Sequence, residues 1–144
     1  MAIPRHTAGV RIRWLAVQTE DLDATSRFFA EGVGMTEDGR LPSWIHLTGE
    51  DFEVEAFANP RTPERPGNPP RGAIVAVFES DDLEADLARL AAAGGIVDRT
   101  VTEDWGRCTF VHVPGGGFIQ VAQLLPGADD FRRDYASGED DRPS

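Results

Sequence analysis

Cysteine is nearly absent: Cys108 stands alone in a chain of 144 residues. One thiol cannot close an internal disulfide, so the sequence points to a reducing compartment, the cytoplasm. Long apolar runs are missing too. None approaches the roughly 20 residues of a membrane-crossing helix, which argues against a membrane partner. The opening MAIPRHTAG holds no apolar stretch of the kind that marks a secretion signal. Positive charge is scarce. The formal net charge is −11 and no basic patch offsets it, which excludes nucleic acid as a partner. A solubilising surface accounts for this acidity better than a dedicated cationic partner does.

The remaining composition, 40% hydrophobic and 27% charged, suits one globular domain with a proper core. Residues 1–9 read as an N-terminal arm. The segment 125–144 is acidic, poor in aliphatics and expected to be disordered. Between them, ANPRTPERPGNPPR (58–71) holds five of the ten prolines. Proline sustains neither a helix nor an interior strand, so this stretch reads as an extended, exposed linker. It separates a first segment, 10–57, from a second, 72–124.

Both segments give the same signals in the same order. RIRWLAV and AIVAVF are strands by composition. TEDLDA and SDDLEA then match position by position and start two helices, TEDLDATSRFFAEGVG and SDDLEADLARLAAAGG. In each, an Asp suits the positive end of the helix and a Gly closes the other end. WIHLT and FEVEAF flank a short loop; RCTFVHV and FIQVAQ flank the turn PGGG. The repeat offset is constant from Asp21/Asp82 through Gly34/Gly95, then slips slightly in the hairpins, where His46 matches His112 and Glu55 matches Gln120. A duplicated βαβββ unit leaves this trace. Neither unit has the apolar residues to bury a helix and sheet alone, so the two should pack as one domain.

This pattern, with EDWGRCTFVHVPGGGFIQ in the second unit, resembles the vicinal oxygen chelate superfamily of glyoxalase I, extradiol dioxygenases and bleomycin-resistance proteins. The resemblance covers roughly residues 10–124 and implies an α+β fold. Two tandem βαβββ modules would form a curved mixed sheet around a concave cavity, with the helices on the outer face. It also implies a homodimer. In metal-binding relatives each module supplies two ligands: one seven residues before the helix-opening Asp, the other on the last strand. Those positions carry Trp14 and Glu55 in the first module, Val75 and Gln120 in the second. Trp and Val offer a metal no lone pair, and a divalent ion needs at least three convergent donors. The expectation is therefore a member with no metal and no cofactor.

Strand alternation gives the faces independently. Phe52, Val54, Ala56, Ile45, Leu47, Thr109, Val111, Val113, Ile119 and Val121 should face the helices. The concave side should carry Trp14, Trp44, His46, Glu55, Phe57, Trp105, Cys108, Phe110, His112 and Gln120, with Ile12 and Ala16 beside Trp14. An aromatic pocket with a few polar groups suits a small-molecule ligand. Indoles can stack on it, while His112 and Gln120 orient it. Each residue also has a plainer reading. A tryptophan is as often core as contact, the histidines can bond to neighbours, and Cys108 reads as an inert small hydrophobe. Arg11, Arg13 and Arg107 read as solvated strand-edge charges.

Three functions follow. The first is a bleomycin-resistance-like protein that binds or sequesters an aromatic or hydrophobic compound, an antibiotic among the candidates, without metal. The second is a lyase, isomerase or dioxygenase of glyoxalase type with a displaced metal site built from His46, Glu55, His112 and Gln120. The third is metal-free catalysis with Glu55 or a histidine as general base.

Overall fold

Two aspartates start the two helices of the computed structural model, which describes residues 10–127. Asp21 Oδ1 accepts the Ala24 N–H at 2.9 Å, and Asp82 Oδ1 accepts the Ala85 N–H at 3.2 Å. Each satisfies a backbone donor that the first helical turn leaves without an internal partner. Helix α1 (Leu22–Arg27) continues as a π-helical segment, Phe28–Val33, and ends at Gly34 with φ of 93°. That left-handed backbone favours glycine. Helix α2 spans Leu83–Ala92. The N-terminal arm 1–9 and the tail from 128 lie outside the described residues.

Nine strands among the described residues form one mixed sheet. They are β1 (Arg11–Gln18), β2 (Thr36–Leu41), β3 (Trp44–Thr48), β4 (Glu53–Phe57), β5 (Ile74–Glu79), β6 (Ile96–Val97), β7 (Val101–Glu103), β8 (Gly106–His112) and β9 (Phe118–Leu124). Their order across the sheet is β2-β3-β4-β1-β5-β9-β8-β6, with β7 also on β8. Within each half the first strand runs parallel to the last: β1 beside β4, and β5 beside β9. The halves join in the middle, where β1 and β5 pair antiparallel. The βαβββ repeat thus closes within one chain, in the curved α+β arrangement that its order implied. The second half departs in detail. Two short strands, β6 and β7, take the place of the first half's β2.

Alternation divides the sheet as expected. Under α1, Val17, Phe29, Met35, Ile45, Leu47, Val54 and Ala56 form one core. Under α2, Leu83, Val111 and Val121 form another. Each fully buried aliphatic side chain contributes about 1.5–3 kcal/mol. On the opposite face Trp14, Ala16, Val77, Cys108 and Ala122 form a third cluster, joined by Phe57, Val101, Trp105 and Leu124.

The proline-rich segment 58–71 is not the exposed linker expected from its composition. Its first half is exposed at Arg61–Glu64, but residues 65–70 are at least partly buried and Pro69 is fully so. The Arg61 N–H bonds to the Pro69 carbonyl at 3.1 Å, and Asn68 Nδ2 donates to the Asn59 carbonyl at 2.8 Å. These bonds fold the segment into a strap.

Candidate functional site

A register shift in β1 between Ile12 and Trp14 organises the concave face. An extra residue in a strand resets its alternation. Ahead of the shift, Val10 packs towards α2, so Ile12 belongs to that outer side too and is exposed. Its expected place beside Trp14 is corrected accordingly. Arg11 and Arg13 instead reach the concave side with Trp14. Arg13 Nε donates to Glu53 Oε2 at 3.1 Å, and its Nη1 donates to Glu79 Oε1 at 3.0 Å; Arg11 Nη2 reaches the same Glu79 oxygen at 2.8 Å. Arg13 is therefore part of a charged network, not a solvated edge residue.

His46 sits in the same network. Its Nδ1 lies 2.5 Å from Asp38 Oδ1 and its Nε2 lies 2.6 Å from Glu53 Oε1. Carboxylates at both ring nitrogens suit an imidazolium, which donates from each. Burial works against that charge, but the hydrogen bonds to Glu53 and Asp38 and the charge of Glu55 outweigh it and raise the His46 pKa. Glu53 responds in kind. The His46 hydrogen bond, helped by Arg13 and opposed by burial, lowers it to about 2.

Trp44 stacks on His46, with ring centroids 5.9 Å apart and planes inclined by 21°. Its indole Nε1 donates to Glu55 Oε2 at 3.0 Å, and both side chains are buried. The register carries the site across the sheet. Trp14 lies beside Val77, Val77 beside Gln120, and Gln120 beside Phe110. Glu55 lies beside Ala16, and Ala16 beside Val75.

The strap lies over the second half of this face. Gln120 Nε2 donates to the Gly67 carbonyl at 2.9 Å. The Arg61 guanidinium stands 4.9 Å above the Phe110 ring, a cation–π contact. The Gly67 N–H bonds to Glu103, whose pKa rises through burial and the nearby Asp104 charge. Burial, with Glu103 adding, pushes the Cys108 thiol up to about 12. A thiol held that high is not a nucleophile near neutral pH, as its reading as an inert hydrophobe required.

Of the residues singled out in the sequence, Trp14, Trp44, Glu55, Phe57, Trp105, Phe110 and Gln120 come together on the concave face. His46 joins them with both ring nitrogens already engaged. His112 does not. It sits at the far end of β8, half exposed, tilted against Phe118, with its Nε2 3.4 Å from Asp98 Oδ2. Sequence reasoning missed Arg13, Asp38, Glu79, Arg61 and the buried Gln18. Glu53, which alternates onto the same face as Glu55 and Phe57, was given no role. Alternation would have found Gln18 by counting four from Trp14; no local signal marks the shift that turns Arg13 inward.

By register, the four positions that hold metal in relatives lie in two neighbouring rows of the sheet, Trp14 with Gln120 across Val77 and Glu55 with Val75 across Ala16. Only Glu55 among them is an anionic donor, and Trp44 already donates to it. Among the described residues no group of three or more His, Cys, Asp or Glu is placed to hold a metal ion. His46, Glu55 and His112 are not assembled into an alternative one. The side chains present do not fit the family's metal.

Residues 11–121 match the Glyoxalase/Bleomycin resistance protein/Dioxygenase superfamily, and the chain belongs to it. Its fold is similar to methylmalonyl-CoA epimerase from Mycobacterium tuberculosis, with 17% identity over 87% of this chain and 95% of that one and a TM-score of 0.61. It is also similar to a superfamily member from Vibrio splendidus 12B01, with 16% identity over 79% of this chain and 98% of that one, TM-score 0.56. Homoprotocatechuate 2,3-dioxygenase from Brevibacterium fuscum shares 15% identity over 86% of this chain and 40% of that one, TM-score 0.55. These likenesses establish the fold alone. No curated protein matches the chain at a significant level. No helix among the described residues is long and apolar enough to cross a membrane.

Proposed function

We propose that this protein binds an aromatic or hydrophobic small molecule on its concave face without a metal, and that an antibiotic is one fitting ligand class. The observation that carries the reading is the donor set. Where metal-dependent relatives place ligands, this chain has an indole, a valine and an amide beside one carboxylate, amid further aromatic side chains. Such a surface gains by stacking and by removing apolar area from water. Gln120 and the Glu55–Trp44 pair supply the few polar groups that orient a ligand. Entry requires the strap to move at Gly67, because its carbonyl occupies the Gln120 amide. A homodimer in the cytoplasm belongs to the same proposal: the single cysteine suits a reducing compartment, and the outer strands β2 and β6 leave sheet edges that a second copy can cover.

Titration of tryptophan fluorescence with a panel of aromatic compounds tests the proposal. All three tryptophans lie in or against the concave face, so a bound compound should quench or shift the emission saturably, and EDTA should leave that response unchanged. A flat response to every compound, or binding that EDTA abolishes, refutes it.

A further inference from the structure

The last residue of β1 carries a polar group that the fold leaves unsatisfied. Gln18 is only 6% exposed, and its side-chain oxygen is buried with no hydrogen-bond partner among the described residues. Native interiors rarely keep such a carbonyl, because it has given up water for nothing. Its position is well defined. From Trp14 to Gln18 the register with β4 is unbroken, so Trp14, Ala16 and Gln18 share the concave side. Gln18 stands beside Phe57, and Phe57 beside Trp44. In the next row Ala16 stands beside Glu55, which accepts the Trp44 N–H.

We infer that Gln18 is a ligand-recognition residue: an aromatic ligand seated against Trp44 and Phe57 presents an N–H or O–H donor to Gln18 Oε1. The inference rests on the proposed reading of the concave face and adds the chemical class. The unsatisfied group at this end of the site, Gln18 Oε1, is an acceptor. It selects phenols, anilines or amides over bare hydrocarbons. A site with a buried acceptor discriminates strongly against an analogue lacking the donor, since the acceptor then stays unpaired.

Isothermal titration calorimetry of the full chain with 2-naphthol and 2-methoxynaphthalene tests this. The two differ in the donor and share the ring system. Wild type should prefer 2-naphthol by about tenfold, the effect of one restored hydrogen bond. Gln18→Leu and the near-isosteric Gln18→Met should bring the two affinities within about twofold, through loss of 2-naphthol binding. Without ligand, both variants should melt at or above the wild-type temperature, because each removes an unsatisfied buried atom. Equal binding of the two probes to wild type, as when a buried water satisfies Gln18, overturns this inference alone. So does a variant that melts well below wild type, since the amide then has a structural partner. Binding of neither probe overturns the reading of the concave face itself.

Discussion

Neutralising Glu53 should flatten the acid limb of the stability profile. Its carboxylate links three strands: it takes His46 Nε2 of β3 at 2.6 Å and Arg13 Nε of β1 at 3.1 Å while belonging to β4. Holding the carboxyl at about 2 instead of 4.5 corresponds to roughly 3 kcal/mol, at about 1.4 kcal/mol per pH unit. The folded pKa is the lower one. This stability is therefore present above about 4.5 and lost as pH falls towards 2. His46 runs the other way. Its folded pKa is raised, so its share is complete below 6.5 and fades as pH rises through the folded value. The clamp is whole between those limits. Urea unfolding of wild type and Glu53→Gln should therefore differ by about 2–3 kcal/mol near pH 5.5. The gap should narrow towards pH 2, and more gradually as pH rises through the raised His46 value. Parallel curves at all pH values would show that Glu53 is not held by His46 and Arg13, and the clamp would be wrong.

The strap gives two further outcomes. A Cβ at Gly67 would meet Glu103 Oε1 at 2.9 Å, a flexible carboxyl that can turn aside, and Cys108 Sγ at 3.1 Å, so Gly67→Ala should press the strap a few tenths of an ångström off Cys108 and cost about 1 kcal/mol, read as a lower melting temperature. Cys108 is fully buried with its thiol pushed to about 12, so a disulfide reagent at pH 8 should label it in wild type orders of magnitude more slowly than in urea. Gly67→Ala should speed that labelling. Unchanged labelling would mean that the strap does not shield the thiol.

Much of the fold was legible because it rests on local chemistry. TEDLDA and SDDLEA start helices through Asp21 and Asp82, and each bonds within three residues of itself. A two-residue strand period likewise sorted Val54, Ala56, Ile45 and Leu47 from Glu55, Phe57 and Trp44 without knowledge of any partner strand. Constant spacing matched Trp14 to Val75, whereas Glu55 and Gln120 were matched across the slip in the hairpins. His112 shows the limit of that method. Alternation assigned its face correctly, but not its distance from the centre, because lateral position depends on which strands pair.

The residues alone specified the helix starts, the two faces of the sheet and the loss of metal donors, since capping, alternation and side-chain chemistry act over a few positions. Assembly determined the rest. The shift in β1 exists only in the pairing of β1 with β5, so nothing in RIRWLAV shows that Arg13 turns inward to join Glu53 and Glu79. The strap is the clearest instance. Proline content described its backbone, but not its resting place. Five prolines also bring no N–H groups to leave unsatisfied, so the segment can lie against the sheet at little polar cost. Whether it does so depends on Gln120, Glu103 and Phe110, residues far along the chain that only the folded sheet places beneath it.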